Sequence, residues 1–206
     1  MFLDEESHKE KLKELFETYN EALKPLIAEV EVCYEEFPSP VFNEIRAFND
    51  HIARCFIVST DIENELSKSE GHLKRIILDC FKYLNVYNHN YFEVFDNRYK
   101  NVDLSTVKDG EFLKEYTVVK KKFKDSIREA KKNEGRDMLK SFQLFEEAYN
   151  YSKDLVILIE DNHYKLWRSK AKFTSLKIVK IVLWLLSIIA TSIITYYFEQ
   201  ILNFIG

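Results

Sequence analysis

The fold of this chain is decided by the stretch IVLWLLSIIATSIITYYF, residues 181–198, in which no side chain is charged. A helical run of about 20 apolar residues is long enough to cross the hydrocarbon core of a bilayer. Trp184 lies near one end and Tyr196 and Tyr197 at the other, where amphipathic rings favour the headgroup region. We therefore predict a transmembrane helix over residues 178–200, with the buried core helix of a soluble protein as the alternative.

The charges that flank this stretch indicate an orientation. The chain after Phe198 carries no basic residue, whereas six precede or enter the span, so the preceding chain is expected in the cytoplasm. We predict a cytoplasmic domain over 1–170, a basic juxtamembrane segment over 171–177 and a short non-cytoplasmic tail over 201–206. The abundance of Lys, Asn and Ile is typical of an AT-rich bacterial genome, which makes the bacterial inner membrane the expected location. The six basic residues are Lys165, Arg168, Lys170, Lys172, Lys177 and Lys180.

Two sets of side chains near the membrane have expected partners. Ser187, Thr191 and Thr195 recur every four residues of the predicted span and share one helix face. Such a face lets membrane helices pack closely, but the hydroxyls also bond their own backbone, and both interpretations stay open. Anionic lipid headgroups are the expected partners of the lysines nearest the span, which are Lys170, Lys172, Lys177 and Lys180.

The rest of the chain has the composition of one helical domain. Of its 206 residues, 46% are hydrophobic and 31% are charged, which suits a packed core and excludes a protein with many spans. The net charge of −4 supplies no overall positive field, so any contact with nucleic acid needs a local patch. Cys33, Cys55 and Cys80 show neither CxxC nor metal-ligand spacing and are expected to be reduced core thiols.

Long helices are predicted throughout this domain, because prolines and glycines are few and apolar residues recur every three to four positions. Pro25 is expected to kink the first helix, Pro38 to end it, and Gly135 to end the fourth. The predicted fold class is all-α, an up-down bundle of about five helices followed by a single transmembrane helix. The apolar stretches are residues 8–36, 41–66, 69–87, 112–127 and about 136–168, while residues 88–101 are ambiguous.

One short motif is suited to chemistry: Arg46-Ala-Phe-Asn-Asp-His51, within NEIRAFNDHIARCF. The glycine-rich phosphate loops, nucleophile elbows and zinc-protease motifs of common enzymes do not occur in the sequence. His8, His89 and His163 have no ligand partner at three- or four-residue spacing. We therefore expect neither a metal site nor a cofactor.

The motif resembles the signature of the HEPN superfamily, helical-bundle proteins of bacterial toxins and of antiviral and CRISPR-associated systems, in which Arg precedes His by a few residues. The resemblance implies that two protomers pair, line one cleft with both motifs and cut RNA without a metal. Arg46 would stabilise the charge that develops on the phosphorane, and His51 would move the proton of the 2′-hydroxyl or leaving group. Asn49 and Asp50 would orient the imidazole or contact the RNA. Ala47 departs from the polar residue usual in the family.

A second constellation follows in the sequence. His72, Arg75 and Asp79 stand at positions i, i+3 and i+7, which places them on one face of a helix. Two interpretations stay open for this face. It either supports the motif or contacts RNA, or it forms a polar network between helices.

Arg46 and His51 do not share a helix face, because five residues of α-helix leave them about 140° apart. The two side chains therefore meet only across a dimer, or Arg46, Asp50 and Arg54 form an ordinary ion-pair ladder on a solvated face. Three functions are compatible with these patterns. They are a membrane-anchored, homo-oligomeric effector that cleaves or binds RNA in antiviral defence alongside a partner protein, an oligomeric pore-forming effector, and a tail-anchored scaffold without activity.

Overall fold

The computed structural model describes residues 6–57 and 61–205, and the side chains of this part as far as residue 198. Within these residues every regular element is a helix and none is a strand, so the predicted all-α class is confirmed. Ser59, which belongs to the predicted 41–66 stripe, lies outside the described residues, as do the side chains of the tail.

The first predicted helix is divided by a wider turn. It comprises α1 (Glu6–Thr18), a π turn (Tyr19–Leu23) and α2 (Lys24–Cys33), with Pro25 in the first turn of α2. Proline has no backbone N–H and its ring crowds the carbonyl four residues earlier. The π turn lengthens the hydrogen-bonded ring just before the proline, so the chain passes Pro25 without leaving the helix.

The prediction that Pro38 ends the first helix is wrong, because α2 already ends at Cys33 and Tyr34 is extended, with φ −124° and ψ 136°. Two long helices follow. They are α3 (Ser39–Ile57) and α4 (Ile62–Tyr99). The third predicted helix, residues 69–87, corresponds to α4. The predicted start near Ser69 is wrong, because Asp61 caps an earlier start: its Oδ1 accepts a hydrogen bond from the Asn64 backbone N–H at 3.1 Å. The aromatic segment that the sequence leaves ambiguous forms the last turns of α4 as far as Tyr99, and a turn follows.

A 3₁₀ segment (Leu104–Gly110) leads into α5 (Glu111–Asn133) and then α6 (Met138–Asp161). Gly135 adopts a φ of +79° between the two α-helices. This left-handed conformation suits glycine, which agrees with the predicted end of the fourth helix at this residue. Asp137 then accepts a hydrogen bond from a backbone N–H of the first turn of α6 at 3.0 Å, as an N-cap does.

The prediction of one helix over about 136–168 is wrong at the C-terminal end, because the helix is interrupted at Asn162. The Asn162 amide donates to the Leu158 carbonyl at 2.8 Å, and its backbone N–H reaches the Ile159 carbonyl at 3.2 Å. These bonds close a turn rather than another α-helical step. Beyond the turn, α7 (His163–Ile205) runs for 43 residues, about 64 Å at 1.5 Å per residue.

The α7 helix is the one helix in the described part of the chain that is long and apolar enough to cross a membrane. Every side chain from 171 to 198 is exposed. A continuous apolar surface of this size is typical of a region that contacts lipid or another protein. The length and composition predicted for the span are therefore present in the structure.

The chain forms two compact units. The first contains the chain as far as Phe95 together with Thr117–Ile157, and the second contains Asp96–Tyr116 together with the chain from Leu158 onward. Cys55 and Cys80 are free thiols buried in the first unit. The apolar core of that unit includes Leu23, Val30, Val41, Phe48, Leu66, Ile76, Leu84 and Phe145.

The second unit joins the 3₁₀ segment to the base of α7. The Ser169 hydroxyl donates to the Asp103 carbonyl at 3.1 Å and lies 3.2 Å from the Thr106 hydroxyl. Val107 is buried in this unit. The Lys170 ammonium stands 5.7 Å from the centre of the Tyr99 ring, a cation–π distance, so one of the predicted lipid-contacting lysines has a protein partner.

Candidate functional site

Two histidines from neighbouring helices meet in the first unit. The ring of His51 on α3 stacks on the ring of His72 on α4, with centroids 5.1 Å apart and an interplanar angle of 21°. Their side chains are only 15% and 17% exposed. The structure thus brings together one histidine from each of the two constellations that the sequence indicates.

Each imidazole is bonded to a carboxylate of the opposite helix. His51 Nδ1 lies 2.6 Å from Glu65 Oε2, and His72 Nδ1 lies 2.6 Å from Glu44 Oε2. Each helix therefore supplies one histidine and one glutamate, and the two His–Glu pairs cross between the helices. A bond at Nδ1 fixes the orientation of the ring, and no hydrogen bond joins either Nε2 to another described residue.

Arg75 closes one side of this four-residue cluster, which we call the double His–Glu cluster. Its Nε donates to Glu44 Oε2 at 2.9 Å, and its Nη2 lies 2.7 Å from His72 Nδ1. One ring nitrogen cannot donate and accept at once, so the tautomer of His72 decides which of its two Nδ1 contacts is a hydrogen bond. In either tautomer the guanidinium stays beside the imidazole.

Basic side chains also surround the other carboxylate. Lys68 lies 2.8 Å from Glu65 Oε1, and Arg54 lies 4.0 Å from Glu65 Oε2. The bonds from His51 and then Lys68 lower the pKa of Glu65 from 4.5 to about 2. Both effects favour the ionised carboxylate, which keeps Glu65 an acceptor across the range in which histidine titrates.

Glu44 is also held ionised, although burial opposes ionisation more strongly at Glu44 than at Glu65. Its partial burial raises the pKa, while the hydrogen bonds from Arg75 and His72 lower it, and the net pKa lies below the usual value of 4.5. A carboxylate that accepts charge-assisted bonds from two partners is well fixed in position. Glu44 therefore orients both His72 and Arg75.

The remaining residues of the predicted motif make no direct hydrogen bond or ion pair with the cluster in the described part of the chain. Arg46 is exposed, and no hydrogen bond or ion pair joins it to another described residue. Asn49 donates to the Ile45 carbonyl of its own helix at 3.0 Å. Asp50 pairs with Arg54 at 2.7 Å, so one step of the expected ladder is formed and Arg46 does not share in it.

Asp79 is the residue of the second constellation that does not join the cluster. Its ion pair is with Lys82 at 3.8 Å. Burial raises the pKa of its carboxyl above the usual value of 3.8, and the Lys82 charge opposes this rise. Of the three residues on the predicted face, His72 and Arg75 therefore act together and Asp79 belongs to a separate contact.

The hydroxyls of the apolar segment of α7 bond their own backbone. Ser187 donates to the Trp184 carbonyl at 2.6 Å, Thr191 to the Ser187 carbonyl at 2.8 Å, and Thr195 to the Thr191 carbonyl at 3.0 Å. This is the second of the two interpretations that the sequence leaves open. The face still contains small and hydroxyl side chains, which permit close helix packing.

Comparison of the chain with protein-family models, curated proteins and solved structures finds no match. The interpretation of the site therefore comes from its own residues.

The Arg-to-His motif does not predict two members of the cluster, Glu44 and Glu65. A signal for them is nevertheless present, because Glu-x6-His occurs at residues 44–51 and again at 65–72. Seven residues make almost two helical turns, which places each Glu and His on one face. Two such faces on consecutive helices suit a crossed pairing.

Proposed function

We propose that this chain is a membrane-anchored effector whose helical bundle cleaves RNA by acid–base chemistry at His51 and His72. The observation that carries the proposal is the stacking of the two imidazoles at 5.1 Å, each bonded at Nδ1 to a carboxylate. Two oriented imidazoles are suited to move the two protons of a phosphodiester cleavage. An additional positive group beside them is needed for the charge of the transition state.

In this reaction one Nε2 takes the proton of the ribose 2′-hydroxyl while the 2′-oxygen forms a bond to phosphorus. The other Nε2 gives a proton to the 5′-oxygen as the bond between that oxygen and phosphorus breaks. The products are a 2′,3′-cyclic phosphate and a 5′-hydroxyl, so atoms and protons balance. Arg75, beside His72, supplies positive charge for the phosphorane.

A basic surface on α5 supports contact with an RNA backbone. The sequence of α5 contains eight basic and four acidic residues, in a chain whose net charge is −4. Several of these residues, with His89 and Phe123, line a groove of about 650 Å³ in the first unit. Positive residues along one helix attract phosphates, and each of the four basic side chains that line this groove also pairs with a carboxylate, at 2.5–4.0 Å.

The membrane part of the proposal rests on α7. Its apolar segment exposes every side chain from 171 to 198, and the basic residues precede the span, so the bundle faces the cytoplasm under the positive-inside rule. We include in the proposal the bacterial inner membrane and a role in antiviral defence, both of which come from the composition and from the resemblance to the HEPN superfamily. Arg46 would act on the site of a second copy.

The test is cleavage of labelled RNA by the full chain in detergent, with EDTA present. We expect products with 2′,3′-cyclic phosphate ends, and a loss of at least 100-fold in His51→Ala and in His72→Ala, since general acid–base catalysis contributes about 10²–10⁴-fold. His163→Ala is the control, because His163 is an exposed histidine outside both the cluster and the α5 groove. Equal cutting by all variants would overturn the proposal, and depolarised vesicles with uncut RNA would support the pore-forming alternative.

A further inference from the structure

A groove of about 440 Å³ opens next to the double His–Glu cluster, between α4 and the first turns of α6. Its volume is within the range of about 300–1,000 Å³ typical of small-molecule sites. Arg75 belongs both to this groove and to the cluster. The residues that line the groove are Gly71, Lys74, Arg75, Leu78, Met138, Leu139 and Phe142.

The Arg75 guanidinium presents an unused donor to this groove. Nε bonds Glu44 and Nη2 contacts His72, while no hydrogen bond joins Nη1 to another described residue. A Cβ placed on Gly71 would stand 3.8 Å from that Nη1, so the nitrogen lies along the wall that Gly71 forms. A guanidinium N–H in this position is suited to a phosphate oxygen.

The opposite wall is apolar and exposed. Met138 is 60% and Leu139 70% exposed, and covering apolar side chains of this size is favourable. Phe142 is partly buried, and its ring meets the Phe81 ring edge-on at 5.8 Å, which fixes the aromatic surface in place. A flat apolar group would cover these side chains.

We propose that this groove binds the base of a ribonucleotide whose phosphate is held by Arg75 beside His72. The inference rests on the proposed function and deepens it, because it makes the groove the subsite that reads the nucleotide next to the cleaved bond. A nucleotide joins a flat aromatic base to an anionic phosphate. The groove offers an apolar wall for the first and a free guanidinium N–H for the second, and it shares Arg75 with the double His–Glu cluster.

The first experiment measures calorimetrically the binding of the four ribonucleoside 5′-monophosphates to the full chain in detergent, with ribose 5-phosphate as the ligand that lacks a base. We expect the nucleotides to bind with dissociation constants below about 1 mM and ribose 5-phosphate to bind at least tenfold more weakly. Equal binding of both kinds of ligand, or binding of neither, overturns the inference.

The second experiment fills the groove. Gly71→Leu adds a side chain to its wall, where a Cβ has room and the helix tolerates it, and we expect nucleotide affinity to fall at least tenfold. Asn90→Leu also places a leucine on α4, at an exposed position outside the groove, and is expected to leave affinity unchanged. Unaltered affinity in Gly71→Leu overturns the inference.

Leu139→Ser removes apolar surface at an exposed position, where loss of folding is not expected. Nucleotide affinity should fall several-fold with the oligomeric mass unchanged. A change of mass instead would show that a second copy covers the groove and would overturn the inference. Nucleotide binding without RNA cleavage would leave the groove assigned and reject the proposed function, whereas cleavage with unchanged base preference in Gly71→Leu would reject the groove alone.

Discussion

Glu44 of α3 bonds His72 of α4 at 2.6 Å, and the reverse pairing joins Glu65 of α4 to His51 of α3 at the same distance. Because the rings of His51 and His72 stack, the two His–Glu pairs are adjacent. The two helices are therefore linked by two charge-assisted contacts. Removing one partner leaves a partly buried polar group unsatisfied, which is more costly than the net value of the bond. The arrangement therefore has a structural effect as well as a chemical one.

We expect the Glu44–His72 contact to be energetically coupled. A double-mutant cycle with Glu44→Ala, His72→Ala and the double variant should give an interaction energy of about 0.5–3 kcal/mol, measured by urea unfolding followed by circular dichroism in detergent. The matched cycle pairs Glu44→Ala with His89→Ala, two residues without a shared contact, and should be additive. Additivity in the first cycle would contradict the crossed pairing.

The Glu65 carboxyl should make the free energy of unfolding depend on pH in the acid range. Its pKa is lowered from 4.5 to about 2 by His51 and Lys68, so its contribution to the free energy of unfolding is complete above about pH 4.5 and is lost as the pH falls toward about 2. Glu65→Gln should flatten this part of the stability–pH curve. Urea unfolding at about pH 6 and about pH 3 measures the slope.

The control for this experiment is Glu63→Gln, which neutralises an exposed carboxyl on the same turn of α4. That variant should keep the acid dependence of the unaltered chain. A Glu65→Gln chain that lost stability with acid as steeply as the Glu63→Gln chain would show that the His51 contact does not stabilise the folded state.

The elements that can be predicted from the sequence are those specified by local patterns. The apolar run before Phe198 requires a long exposed helix, and Gly135 supplies the left-handed residue that ends α5. The start of α4 is missed because a single cap at Asp61 outweighs the apolar rhythm. The break at Asn162 is missed because a side-chain bond to the preceding turn, rather than a proline or glycine, ends α6.

The candidate site depends on a tertiary relationship, which explains why only half of it can be predicted. His51 and His72 belong to separate patterns, and nothing in either pattern shows that the two helices face each other there. The repeated Glu-x6-His spacing becomes informative only when α3 and α4 are placed side by side. Arg46 illustrates the opposite case, since its spacing to His51 matches a known motif while no hydrogen bond or ion pair joins its side chain to another described residue.

Phe48 should be among the most sensitive positions of the core. It is 1% exposed and stacks on Tyr19 with ring centroids 5.9 Å apart. Phe48→Ala leaves a cavity, and we expect the free energy of unfolding to fall by about 3–5 kcal/mol. Phe42→Ala on the same helix removes a ring that is 57% exposed and should change stability by no more than about 0.5 kcal/mol.

Membrane attachment should depend on α7 alone. The full chain is expected to stay in the membrane fraction through extraction at alkaline pH, because a spanning helix is bound by the apolar surface it buries in lipid. A chain that ends at residue 170 should appear in the soluble fraction. Replacing Lys170, Lys172 and Lys177 together with Gln should leave extraction unchanged but weaken the preference for a cytoplasmic bundle, which protease accessibility in inverted vesicles reports.

Arg46 gives the sharpest test of whether the RNA-cleaving site extends across two copies of the chain. Because its side chain is exposed and no described residue bonds it, Arg46→Ala should change stability by no more than about 0.5 kcal/mol. If Arg46 completes the site of a second copy, Arg46→Ala and His51→Ala are each inactive alone, yet a mixed dimer contains one intact pair. In an equal mixture about half of the dimers are mixed, so RNA cleavage should recover to about a quarter of the unaltered rate. Full activity of Arg46→Ala alone, or no recovery on mixing, would remove Arg46 from the site and leave Arg75 as the guanidinium beside the two imidazoles.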